Sequence, residues 1–256
     1  MEAVPLPTFT AVCAAVADGR AAGAVLPLEN SLAGTVGEAV DALLGTDLVV
    51  AAELLLPVRH QLLGAPGASL DTIRRVTSQR QALAQSEPFL ARHGWELVVA
   101  DDTAAAARRL AESGDRTTAV VASEPAARRY GLAILASDLQ GGPNLTRFAV
   151  VARPGASLPA AGGPLAPPAD GPPVSLVVFE SRHVAGALHN ALGAFAEAGV
   201  NLTRIESRPT GRRRWEYRFI VGVEGHHADE PLRGALGELR RRAHAVRVLG
   251  SFPSAS

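Results

Sequence analysis

Lysine is missing altogether, so every one of the 25 basic residues is an arginine. That absence removes lysine Schiff-base chemistry, including the usual anchor for pyridoxal phosphate. Cysteine is nearly missing as well. Cys13 stands alone, which excludes an internal disulfide and suits the cytoplasm. It lies in the apolar stretch FTAVCAAVADG, where a packed core thiol is expected rather than a nucleophile. No apolar run approaches the roughly 20 residues that span a bilayer, and MEAVPLPTFTAV lacks the basic-then-apolar pattern of a signal peptide. Net charge is absent too, with 25 acidic residues against the 25 arginines. No global field therefore draws in nucleic acid or a membrane surface. The seven histidines are scattered, no grouping has metal-ligand spacing, and there is no glycine-rich phosphate loop. The expected chemistry uses no cofactor and no metal.

What is present is a chain of 256 residues, 47% of them apolar, enough for a sizeable core and two ordinary domains. The run PGASLPAAGGPLAPPADGPP, residues 154–173, is a Pro/Gly/Ala linker. It divides a domain at 1–153 from a second at 174–256. The first alternates short apolar runs with helix-period stretches, the pattern of a parallel α/β sheet. Strands are predicted at 23–28, 48–56, 61–64, 75–78, 96–100, 118–122 and 148–152, and helices at 9–18, 36–44, 81–93, 103–112 and 125–130. The second domain predicts strands at 174–179, 202–207, 215–223 and 246–251 with helices at 187–198 and 231–243. That β-α-β-β-α-β order is ferredoxin-like.

Three predicted strands of the first domain end on a serine that is read as preceding a helix: Ser31, Ser78 and Ser123. A helix start with unpaired N–H groups favours anions, and strand carboxyl ends are where open α/β sheets bind ligands. Each serine alone is more often a plain helix cap, and it is the three together that point to a small-anion cleft. Thr146 and Arg147 open the last strand of this domain, and a guanidinium suits a carboxylate fork, although Arg147 also reads as a structural ion-pair partner. The residues by themselves lead to a cleft for a small anion, and no further.

The segments GAVLPLENSLAGTV, SQRQALAQSEPFL, VVASEPAARRYGL and NLTRF occur in the order seen in prephenate dehydratases, which this chain resembles over nearly its whole length. The second domain resembles an ACT domain, with GALH at Gly186–His189 and ESRP at Glu206–Pro209. The resemblance implies a two-lobed, periplasmic-binding-protein-like catalytic domain whose second lobe covers about 59–139, with hinge closure around the ligand, followed by the ACT module. It implies conversion of prephenate to phenylpyruvate with loss of water and CO2. Thr146 matches the catalytic threonine, with Arg147 beside it; Asn30, Ser31, Ser78, Gln81 and Ser123 match substrate-binding positions. It further implies L-phenylalanine as effector at Gly186, Ala187, Leu188, Glu206, Ser207 and Arg208, and a homodimer or homotetramer built on paired ACT modules.

Two departures from the family pattern stand out. The family's first β-α unit, with its Gly-Pro-x-Gly-Thr-x-Ser segment, has no counterpart, and MEAVPLPTF corresponds to the second strand. A start upstream of Met1 and a real, degenerate or partner-completed protein are the two readings left open, and the missing segment also motivates a non-catalytic, phenylalanine-binding regulatory protein on the same scaffold. Gln79 stands where the family has His, keeping hydrogen bonding but not charge. Fold analogy alone would also allow a solute-binding protein, and a decarboxylase that does not dehydrate is conceivable, but Thr146 and the ACT domain favour the dehydratase. The tetrapeptide Asn-Leu-Thr-Arg occurs at 144–147 and again at 201–204, and its two copies are expected to serve different sites.

Overall fold

The computed structural model describes residues 2–156, 171–211 and 215–255. Most of the expected linker and residues 212–214 lie outside the described residues. The first fifteen elements are α1 (Phe9–Ala17), β1 (Ala24–Asn30), β2 (Gly34–Thr35), α2 (Gly37–Leu44), β3 (Val49–Pro57), β4 (Gln61–Gly64), β5 (Arg75–Ser78), α3 (Arg80–Gln85), α4 (Glu87–Leu90), β6 (Glu96–Val99), α5 (Thr103–Ser113), β7 (Thr118–Ala122), α6 (Glu124–Tyr130), β8 (Ala133–Ala136) and β9 (Leu145–Ala152). Then follow β10 (Pro173–Glu180), α7 (Ala187–Glu197), β11 (Leu202–Pro209), β12 (Tyr217–Glu224), α8 (Leu232–Arg242) and β13 (Ala245–Pro253). The short strands β2 and β8 escape the sequence pattern because two to four residues carry no period. The predicted helix 81–93 is two pieces, broken at Ser86, which ends α3 and starts α4. No strand is assigned before α1 among the described residues.

Local chemistry sets several of these ends. The Thr8 hydroxyl accepts from Ala11 N at 3.1 Å and starts α1. Both carboxylate oxygens of Asp102 cap α5, taking Ala104 N and Ala105 N at 3.2 and 2.8 Å. Gly114 stops that helix at φ +62°, a left-handed conformation open to glycine without strain.

The chain falls into two compact units. The first gathers Met1–Leu28, Val36–Leu55 and Arg147–Ser256. Its antiparallel sheet has the order β11-β12-β10-β13. Strand β10 shows why its residues are apolar without alternation. Val177 and Phe179 pack with Phe195, Leu236 and Leu239 of α7 and α8, while Leu176 and Val178 face Cys13, Leu26, Val40 and Val50. A strand covered on both faces needs apolar residues at both parities. Cys13 is fully buried, and burial pushes its thiol pKa up, so it is an inert part of this core.

The second unit comprises Glu29–Thr35 and Leu56–Thr146. Its sheet runs β6-β5-β7-β4-β8. Strand β5 is parallel to both β6 and β7, whereas β4 is antiparallel to β7 and β8, so the sheet is mixed rather than wholly parallel. Successive residues again face opposite cores: Leu62 and Val121 pack with Ile73 and Leu83, and Leu63 and Val120 pack with Ala107 and Leu110. A third sheet, β2-β1-β9-β3, includes strands whose residues pass from one unit to the other.

Packing inside the first unit leaves no room at Gly250 of β13, where a Cβ would collide with the Val50 carbonyl oxygen. Gly250→Ala is expected to destabilise the protein by about 1–3 kcal/mol, as overpacking typically does. Gly237 in α8 meets nothing within 4 Å, so Gly237→Ala should stabilise by about 0.5–1 kcal/mol. Urea unfolding midpoints of the two variants, moving in opposite directions, check both expectations.

Candidate active site

The end of β1 turns sharply. Asn30 is 6% exposed, and its Oδ1 accepts the backbone N–H groups of Leu32 and Ala33 at 3.1 and 2.9 Å. Backbone N–H can only donate, so the orientation of this amide is determined without ambiguity. Its Nδ2 must then donate, and it does so to Asn144 Oδ1 at 2.6 Å and to Thr146 Oγ1 at 3.0 Å. Asn144 in turn presents Nδ2 to Gln85 Oε1 at 2.9 Å. Gln85 returns Nε2 to Asn30 Oδ1 at 3.2 Å, closing a ring of three amides. Finally His60 Nε2 lies 2.7 Å from Gln85 Oε1. An amide oxygen only accepts, so Nε2 carries the proton in the neutral imidazole. The His60 backbone N–H is held by Gln140 Oε1 at 2.9 Å.

One consequence falls on Thr146, which is 9% exposed. Its oxygen receives the Asn30 donor, and its own proton has no acceptor among the described residues. A buried hydroxyl polarised in this way, with its proton uncommitted, is set up to donate to something not made of protein.

The other expected site residues occupy different situations. Ser31 precedes the β2 hairpin rather than a helix. Its N–H donates to Leu145 O at 2.8 Å and its Oγ accepts from Leu145 N at 3.0 Å. Ser78, expected to bind substrate, is fully buried and donates to Val121 O at 2.6 Å. In this conformation it ties β5 to β7 and has no open face. Ser123 is the exposed N-cap residue of α6, and its hydroxyl makes no capping bond. Gln81 is exposed on α3; the residue of that helix in the polar cluster is Gln85, one turn on. Arg147 belongs to the first unit, where its Nη1 meets Glu53 Oε1 at 2.6 Å, with Glu53 buried.

Sequence reasoning missed Asn144, Gln85 and His60. The i, i+4 relation of Gln81 and Gln85 and the closeness of Asn144 to Thr146 were the available signals; His60 offered none. The second Asn-Leu-Thr-Arg copy does different work: Asn201 Nδ2 donates to Glu224 Oε1 at 2.9 Å and Arg204 Nη2 to Glu206 Oε2 at 2.9 Å.

In the C-terminal sheet, Gly186 has φ +76° and precedes α7, in a surface hollow of about 360 Å³ formed by residues 181–189. Ala187 is buried and Leu188 half-buried in that helix. Along β11 the residues alternate, so Glu206 and Arg208 are half-buried on one face and Ser207 is exposed on the other. Arg208, expected among the effector contacts, donates from Nε and Nη2 to the Asp41 carboxylate.

A family model described as prephenate dehydratase matches residues 1–156. This chain belongs to the prephenate dehydratase family. A model of the ACT domain matches residues 175–241. Arogenate dehydratase/prephenate dehydratase 2, chloroplastic, from Arabidopsis thaliana is 39% identical over 262 residues, covering 98% of this chain and 66% of the relative. The bifunctional chorismate mutase/prephenate dehydratase of Aquifex aeolicus is 35% identical over 254 residues, again 98% and 66%. The chain thus spans just under two thirds of the length of these curated relatives. Among solved structures, a prephenate dehydratase from Arthrobacter aurescens in complex with L-Phe is 34% identical with a TM-score of 0.85, covering 98% of this chain and 81% of that one. GqqA, named a quorum-quenching acylase, is 37% identical with a TM-score of 0.83, covering 98% and 89%. The fold class is that of these dehydratases: mixed α/β lobes of the periplasmic-binding-protein type followed by a βαββαβ ACT domain. Among the described residues no helix is long and apolar enough to cross a membrane.

The polarity of the amide ring is open to direct check. Long-range 1H–15N spectra of the neutral His60 ring are expected to show the proton on Nε2, and a ring protonated on Nδ1 would break the deduced orientation of Gln85.

Proposed function

We propose that this chain is a prephenate dehydratase, converting prephenate to phenylpyruvate and regulated by L-phenylalanine through its ACT domain. The observation that carries the reading is the Thr146 hydroxyl, held from behind by Asn30 and left with a proton to give. In prephenate the bond to the departing carboxylate breaks, and its electron pair completes the aromatic ring. The ring hydroxyl, held by a hydrogen bond from Thr146, takes one proton from solvent and leaves as water, and CO2 is released. Aromatisation supplies the driving force, so the protein has only to orient the substrate and assist the hydroxyl's departure. A threonine hydroxyl is too weak an acid to part with its proton alone. Its contribution is a preorganised hydrogen bond, worth about 10²–10³ in rate by comparison with single oxyanion donors.

The uncharged amides of Asn30, Asn144 and Gln85 hold Thr146 without placing a negative charge beside a dianionic substrate. The exposed Ser31, Ser123 and Gln81 are assigned to substrate binding, and Arg147, oriented by Glu53, to a carboxylate. Phenylalanine is assigned to the Gly186–Leu188 turn, with Glu206, Ser207 and Arg208 on the neighbouring strand. The catalytic domain is taken as 1–153 with its second lobe at about 59–139, and the ACT domain as 174–256. A cytoplasmic homodimer or homotetramer completes the proposal.

The 37% identity to a structure named an acylase favours a second reading, amide hydrolysis. Against it, His60 Nε2 is engaged with Gln85 rather than with a hydroxyl nucleophile. Assays of prephenate, arogenate and an acyl amide side by side separate the readings. Thr146→Ala is expected to lower kcat for phenylpyruvate formation about 10²-fold or more with KM little changed, while Thr146→Ser keeps most of the activity. Both variants should unfold at the urea midpoint of the parent. A parent chain that binds phenylalanine but never turns over prephenate would instead be a regulatory binding protein.

A further inference from the structure

Helix α2 is gripped by arginines of the C-terminal sheet near both of its ends. Towards its start, Arg208 of β11 donates to the Asp41 carboxylate through Nε at 3.0 Å and through Nη2, and Nη2 also reaches Gly37 O at 3.3 Å. The place is built for that guanidinium. A Cβ at Gly37 would lie 2.7 Å from Arg208 Nη1 and 2.9 Å from Nη2, so a larger residue there pushes the guanidinium off its present place. Hydrogen bonding to Asp41 pushes the Arg208 pKa up, so its charge is permanent. Just beyond the helix, Arg247 of β13 donates to Thr46 O and Leu48 O, both at 2.6 Å.

The chain leading into α2 contains little slack. Val36 N donates to Leu28 O at 2.9 Å, Gly34 and Thr35 pair with Asn30 and Glu29, and Asn30 Oδ1 holds Leu32 N and Ala33 N. A displacement of Gly37 is therefore carried along a hydrogen-bonded hairpin to Asn30, the residue that polarises Thr146.

We propose that α2 is the transmission element between the effector domain and the catalytic threonine, and that the Arg208–Asp41 ion pair couples it to β11. Arg208 shares its strand with Glu206 and Ser207, so an amino acid bound along β11 shifts the anchor of α2 and, through the hairpin, Asn30. Asp41 is about half exposed and makes no contact with Thr146's amide cluster. It is a positioning residue, coupled to regulation rather than to turnover. The inference rests on the reading that phenylalanine regulates through this ACT domain, and its test is divided accordingly.

In the full chain, Asp41→Asn and Gly37→Ala are compared with the parent. Without any ligand, amide hydrogen exchange at residues 29–36 is expected to quicken roughly tenfold in both variants, as local opening becomes easier. Calorimetric phenylalanine affinity should stay within about threefold and basal turnover within about twofold. The phenylalanine concentration that half-inhibits should rise at least about tenfold, inside the usual 5–150-fold range of coupling. Exchange at 29–36 equal to the parent overturns the inference. So does unchanged inhibition in variants that still bind phenylalanine. A parent that makes no phenylpyruvate, or binds no phenylalanine, defeats the proposed function instead, and the exchange measurement alone then decides whether the grip on α2 controls the Asn30 hairpin.

Discussion

The two backbone N–H groups that point at Asn30 Oδ1 determine everything downstream in the candidate site. Amide side chains are ambiguous objects, since oxygen and nitrogen exchange places at little energetic penalty unless something outside the ring breaks the symmetry. Here the turn after β1 breaks it. From that one asymmetry follow the direction of Asn144, of Gln85, of the His60 tautomer and of the bond received by Thr146. Buried polar clusters of this kind are destabilising when partly satisfied and rigid when fully satisfied. In this one each amide oxygen accepts and each amide nitrogen donates, while the threonine proton has no acceptor among the described residues.

The first unit is organised around a different constraint. The C-terminal sheet has apolar residues on both faces, one set covered by α7 and α8 and the other by α1, α2 and β3. An ACT module whose second face is covered in this way cannot move independently of the elements that cover it. Arginine suits such a junction because its planar fork satisfies carbonyls and carboxylates together. Arg153, holding Val16 O and Ala21 O, shows the same use elsewhere in the unit. A chain without lysine does all of this with one kind of cation.

The sequence was most readable where periodicity extends over many residues. The C-terminal β-α-β-β-α-β order and the strands at Gln61–Gly64, Arg75–Ser78 and Thr118–Ala122 were legible because apolar runs bounded by turn residues leave few alternatives. The antiparallel placement of β4 was not, since strand direction in a sheet leaves no mark on a four-residue run. Within the site, Thr146 and Asn30 stand in motifs that could be recognised. The surroundings of Ser78 could not be read from pattern alone, because a hydroxyl facing a ligand and one facing a neighbouring carbonyl have the same neighbours in sequence. Gln85 and His60 lie 25 residues apart and meet only through the fold. Arg208 sits inside a recognisable motif, yet its partner Asp41 is 167 positions away.

The piece of chain bearing Asn30 joins the second unit as a separate loop, Glu29–Thr35, while the rest of that unit is one uninterrupted stretch, Leu56–Thr146. A gene fragment encoding the long stretch alone would keep His60, Gln85, Asn144 and Thr146 but lose the residue that gives them direction. The candidate site accordingly cannot be excised as that one contiguous block without losing Asn30.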